Sequence, residues 1–215
     1  MRKALSFTVA FGLMSSVFAL DMSIGGCGFL GSNFGGGIKI DLSDGTNAKV
    51  TMPYNGGGIN IFFDAKYVDV SVGSMFAVQK MKNVVTDGKD YSEKIDLVEG
   101  LFLTLNLGLL VKYPISLSET MKLFPAAGID YESRISDHNE KMNRLWIKFG
   151  TGADFDLSKK MYLRSTLLYG IGLKNKYEDD FCNSEVFIDQ VGIWGEPSVI
   201  LSHGLTAKVG IGFKL

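Results

Sequence analysis

Residues 205–215 read LTAKVGIGFKL, and every odd position is apolar: Leu205, Ala207, Val209, Ile211, Phe213 and Leu215. The even positions carry Thr206, Lys208, Gly210, Gly212 and Lys214. Successive side chains of a β-strand point to opposite faces, so this period of two marks a strand with two unlike faces. Its polar face is small where a soluble sheet would show charges to water.

The same alternation recurs along the chain. In LFLTLNLGLLV (101–111) the odd positions are apolar, with Thr104, Asn106 and Gly108 opposite them. LWIKFGTGADFDL (145–157) sets Ile147, Phe149 and Phe155 against Lys148, Gly150, Gly152, Asp154 and Asp156. MYLRSTLLYGIGL (161–173) and YVDVSVGSMFAV (67–78) follow suit, GINIFFD (58–64) and LFPAAGIDYE (123–132) are shorter members, and LDMSIGGCGFL (20–30) is a glycine-rich first strand. With the last strand these make eight, and no segment carries a 3.6-residue period. The connections are short at 65–66 and 158–160, middling at 112–120, and long and polar near 32–53, 81–95, 135–144 and 174–200. Short turns at one end and long loops at the other describe an all-β, antiparallel up-and-down barrel.

Alternation alone fits both a membrane barrel and a soluble periplasmic lipocalin-like ligand-binding barrel. The glycines favour the first. Gly weakens a strand, so a water-facing surface has no reason to prefer it, whereas the lumen of an eight-stranded barrel holds little more than packed side chains. Gly108, Gly150, Gly152, Gly170, Gly172, Gly210 and Gly212 all fall on the polar face, which makes that face the lumen. Eleven to thirteen residues at about 3.3 Å each, tilted by roughly 40°, rise about 28 Å, near the roughly 25 Å of a transmembrane barrel's apolar band. Phe62, Phe63, Tyr67, Tyr113, Phe124, Phe155, Tyr162 and Phe213 crowd the short-turn ends, as an interfacial girdle would.

The first twenty residues, MRKALSFTVAFGLMSSVFAL, place Arg2 and Lys3 before an apolar run, end in small residues suited to cleavage after Ala19 and read as a secretory signal peptide, with residues 21–215 as the barrel domain. Its removal takes the 22 basic side chains to 20 against 23 acidic ones, a balance of −3 that does not suggest nucleic acid. Beyond residue 20 no apolar run approaches the roughly 18–20 residues of a membrane-spanning helix. Cys27 and Cys182 do not make a disulfide framework. They read as two unpaired thiols, or, since IGGC at 24–27 loosely resembles a relaxed lipobox, Cys27 is a lipidation site.

NGGGINIFFDAKYVDVSVG (55–73), LVKYPISLSETMKLFPAAGIDYE (110–132) and LWIKFGTGADFDLSKKMYLRSTLLYGIGL (145–173) resemble the small eight-stranded outer-membrane proteins of treponemal spirochaetes, loosely of the OmpW type. The resemblance covers nearly all of the mature chain as a pattern of strands and turns. It implies a porin-like barrel in outer-membrane lipid and at most a passive uptake of small apolar molecules; a structural or surface-interaction barrel is the other function expected, and the chain is expected to be a monomer.

The sequence offers little for catalysis, metal binding or a cofactor: its histidines are His138 and His203 alone. FGGG (34–37) and NGGG (55–58) precede no helix and so are not phosphate loops. The informative residues are the lumen-facing polar ones, Asp69, Asp130, Glu132, Lys148, Asp154, Asp156, Arg164 and Lys208. Charges turned inward pair or meet water, so they form either a plug of ion pairs or the lining of a narrow wet passage. The acidic loop 174–200 is a solvated outer loop or a cation- or ligand-binding surface.

Overall fold

The computed structural model describes residues 22–42, 47–80, 82–86, 89–90, 99–136, 142–176, 186–188 and 193–215. Its strands are β1 (Met22–Asn33), β2 (Gly37–Leu42), β3 (Asn47–Thr51), β4 (Tyr54–Ala65), β5 (Val68–Lys80), β6 (Lys82–Thr86), β7 (Lys89–Asp90), β8 (Glu99–Lys112), β9 (Ile115–Ser116), β10 (Met121–Arg134), β11 (Arg144–Asp156), β12 (Met161–Gly172), β13 (Val186–Ile188), β14 (Ile193–Ile200) and β15 (Ser202–Lys214). Eight of them close an antiparallel ring in the order β1, β4, β5, β8, β10, β11, β12, β15, with β15 returning to β1. The alternating last strand is thus one half of the closing seam, with Ile24 opposite Phe213 and Asn33 opposite Gly204. No helix among the described residues is long and apolar enough to cross a membrane.

The short turns arise from local chemistry. Lys66 takes a positive φ of 59° in the turn from β4 to β5, where the Tyr67 amide reaches the Ala65 carbonyl at 2.6 Å. The turns before β10 and β12 share the pattern Leu-Ser-x-x-Met. In both, the Leu117 and Leu157 amides donate to the carbonyls of Met121 and Met161 at 2.9 Å, and the Ser118 and Ser158 hydroxyls accept from the backbone amides of Thr120 and Lys160 at 3.3 Å. A serine hydroxyl that supplies a turn's missing acceptor lets four residues reverse the chain.

Burial runs inside out. Ile59 is 73 % and Leu101 71 % exposed, while Thr104 and Asn106 lie buried. The outward apolar face includes Val70, Val72, Leu107, Leu109, Ile147, Phe149, Leu167, Val209 and Ile211. The lipocalin-like alternative is overturned on this point, because a barrel dissolved in water keeps its apolar face within.

Two expectations need correction. The girdle holds for Phe63, Tyr67, Tyr113, Phe155 and Phe213, which face outward, but Phe62, Phe124 and Tyr162 are buried in the bore. Their even numbers put them on the lumen face, and nearness to a turn does not override strand parity. Second, the long connections are not merely loops. β13, β14, β2, β3, β6 and β7 pair in that order as a second, six-stranded sheet. The β14–β2 ladder carries on from β15–β1, and β3–β6 from β4–β5. The join is the FGGG segment, where Gly35 and Gly36 have φ of 127° and 81° and the Gly36 amide reaches the Leu201 carbonyl at 3.1 Å.

Candidate functional site: the plugged lumen

Near the short turns, neighbouring and opposite strands send charged side chains to one point. The Arg164 guanidinium donates to Asp154 through Nε at 2.7 Å and Nη2 at 2.8 Å, to Asp69 through Nη1 at 2.8 Å, and to Asp64. Lys112 Nζ donates to the same Asp64 oxygen at 2.5 Å. Phe62, Phe124 and Tyr162 surround the guanidinium, their ring centroids 4.8, 5.3 and 5.2 Å from Cζ. Arg164 is 5 % exposed. Full ionic pairing and aromatic faces offset the cost of holding a cation away from water.

Higher in the bore, Lys148 Nζ donates to Asp130 at 2.6 Å. The Tyr54 hydroxyl donates to the Glu132 carboxylate, whose oxygens lie 2.9 and 2.7 Å away. Tyr54 meets Phe102 edge-on at 5.3 Å, and Arg134 lies 3.8 Å from the Phe102 centroid while donating to Gln79 at 2.6 Å. These groups form a second constriction towards the outer sheet.

The structure therefore brings Asp69, Asp154 and Arg164 into one cluster, pairs Lys148 with Asp130, and gives Glu132 a tyrosine partner. Asp156 sits at the short-turn mouth, 2.7 Å from Lys214. Lys208 is half-buried, its Nζ 6.0 Å from the Phe29 centroid. Asp64, Lys112 and Tyr54 are the contributors that sequence reasoning missed. Parity could have found them: Asp64 ends GINIFFD on its inward face, Lys112 extends LFLTLNLGLLV by one residue, and Tyr54 stands on the same face ahead of GINIFFD.

What space remains is small and divided. Voids of about 30, 30 and 20 Å³ succeed one another through the bore, each with room for a water molecule or two. Below the Arg164 cluster a vestibule of about 530 Å³ opens at the short turns. These voids are lined by charged and polar side chains as well as rings.

Cys27 lies in mid-β1, paired to Gly210 and Asn60 on either side, its Sγ 3.7 Å from Asn60 Oδ1. Lipidation at Cys27 would make it the first residue of the chain and remove Met22–Gly26, of which residues 23–26 pair with both neighbouring strands. The lipobox reading does not fit this register. Ser202 and His203 point to opposite faces of β15: Ser202 is buried inside, while His203 sits outside with Nδ1 2.6 Å from the Tyr169 hydroxyl. No cluster of metal-ligating side chains occurs among the described residues. The signal segment, His138, Cys182 and most of loop 174–200 fall outside those residues.

No known protein family and no curated protein matches the sequence. Solved structures similar in shape include the outer membrane protein OprG from Pseudomonas aeruginosa, 12 % identical over 91 % of this chain and 96 % of that one with a TM-score of 0.48. Neisserial surface protein A is 13 % identical over 87 % and 97 %, TM-score 0.40. The outer membrane protease OmpT from Escherichia coli is 9 % identical over 90 % and 97 %, TM-score 0.34.

Proposed function

We propose that the chain is an integral outer-membrane barrel whose lumen is closed, and which acts outside the membrane through its six-stranded sheet. Its inside-out burial suits hydrocarbon, and a closed ring leaves no unpaired edge there. The observation that carries the closed state is the reach of Arg164. It stands on β12 and bonds Asp69 on β5, four strands away in either direction round the ring. That bond crosses the whole bore. Passive uptake of small apolar molecules draws no support from a bore lined by ion pairs.

Two measurements test this. The folded protein should partition with detergent or lipid; a stable, folded protein in detergent-free buffer would overturn the membrane reading. In planar bilayers the wild type should conduct little, and Arg164→Ala should conduct more. Large, steady wild-type conductance would overturn the closed lumen.

A further inference from the structure

A basic rim circles the short-turn end of the barrel. Lys66 stands in the turn from β4 to β5, Lys122 at the start of β10, and Lys159 and Lys160 in the turn from β11 to β12. These four make no ion pair among the described residues, whereas Lys112 and Lys214 at the same end are engaged with Asp64 and Asp156. The acids left there to balance them are Glu119 and the carboxylate of Leu215. Because the turns follow one another round the ring, the positive charge encircles it.

The rim adjoins an apolar belt. Phe63, Ile115, Leu117, Phe155, Leu157 and Phe213 face outward beside the turns. Tyr67 and Tyr113, at the ends of neighbouring strands, stack at 6.4 Å on this outer surface, and Lys66 Nζ lies 5.3 Å from the Tyr67 centroid. The Lys66 ammonium is thus held on the outer side of the wall. Neither phenol hydroxyl has a hydrogen-bond partner among the described residues. Lys159 and Lys160 are exposed, and a lysine stem lies along apolar surface while its head reaches polar surroundings. Any anion is drawn to these ammoniums, but a lipid is the anion that arrives attached to hydrocarbon, and the adjacent apolar belt selects it.

We propose that the short-turn rim selects anionic phospholipids from the leaflet it meets, Lys66 with Tyr67 and Tyr113 holding one headgroup and Lys159 with Lys160 another. The proposal rests on the membrane reading and is independent of the closed lumen.

The test is native mass spectrometry of the full barrel in detergent micelles doped with phosphatidylglycerol or phosphatidylcholine of the same acyl chains. Phosphatidylglycerol should bind at least about tenfold more tightly, since each lysine near an anionic lipid surface contributes about a factor of five. Lys66→Gln with Lys159→Gln and Lys160→Gln should bring the two lipids within about twofold of each other. Lys39→Gln with Lys49→Gln and Lys176→Gln, which removes the same charge from the far end of the molecule, should leave the preference intact. Glycerol phosphate, the anion without its chains, should compete at least about tenfold more weakly than phosphatidylglycerol, and equal competition would overturn the lipid assignment. Equal binding of the two lipids, or a preference untouched by the three rim changes, would overturn the proposal alone. Binding of neither lipid would overturn the membrane reading and the proposal with it. The comparison of the two lipids on the wild type needs no variant to fold.

Discussion

Tyr162 and Gly212 face each other directly across the β12–β15 ladder, and the Tyr162 ring fills the space that a Cβ on Gly212 would need. Phe62 with Gly25 and Phe124 with Gly152 repeat the arrangement on other ladders. Each glycine lets a ring lie flat along the wall, and the three rings form the collar in which Arg164 sits. Gly212→Ala should therefore destabilise the barrel by about 1–3 kcal/mol through overpacking, read from urea titration of folding into lipid. Adding Tyr162→Ala should recover part of that loss. Strictly additive costs would show that ring and glycine are not coupled.

Removing Arg164 takes the guanidinium from three carboxylates in the bore, of which Asp64 keeps Lys112. Arg164→Ala should cost about 3–5 kcal/mol, the usual range for breaking a buried ion pair. Arg164→Lys keeps the charge but not the fork of donors, and its stability should fall between those of the wild type and Arg164→Ala. Equal stability of Arg164→Lys and wild type would mean that charge alone holds the cluster.

The outward face gives a depth scale. Leu107 sits near the middle of β8, whereas Ile171 pairs with His203 at the outer end of the wall. A lysine at Leu107 should cost about 2–4 kcal/mol and one at Ile171 about 0–1 kcal/mol, when folding is measured in bilayers. Similar costs at the two sites would misplace the apolar band.

Tyr54→Phe leaves the Glu132 carboxylate without its hydroxyl donor. A loss of about 1–3 kcal/mol is expected, and Glu132→Gln should lessen the effect of the tyrosine change. A neutral Tyr54→Phe would show that Glu132 finds another donor.

Cys27 faces the lumen from a strand paired on both sides. With Cys182→Ser removing the other thiol, maleimide should modify Cys27 slowly in the folded barrel and fast in urea. Fast modification of the folded protein would place that part of β1 outside the wall.

How much of this the sequence discloses depends on how local the cause is. Strand parity is local, so LTAKVGIGFKL and LFLTLNLGLLV give both the strands and their inner faces, and Leu-Ser-x-x-Met marks two turns. Parity also places Phe62, Phe124 and Tyr162 inside, a signal obscured by the habit of assigning turn-end aromatics to the girdle. Partners are not local. Nothing near Arg164 in the chain marks Asp64 and Asp69 as its partners, because the ring order, not sequence distance, brings β4 and β5 opposite β12. The outer sheet is hidden for the same reason: GIKIDL alternates, but only its pairing with β14, from the far end of the chain, makes it a strand in a sheet.

The β1–β15 seam joins the first strand to the last, with Ser23 opposite Lys214. The ring therefore cannot shut until β15 has been delivered, and a chain without it presents two unsatisfied backbone edges. Contacts so distant in sequence form slowly, and open edges invite pairing with other chains. Transit from synthesis to the membrane is thus the vulnerable stage of this molecule's life, and trimming Phe213, Lys214 and Leu215 should harm assembly more than equal trimming of the outer sheet.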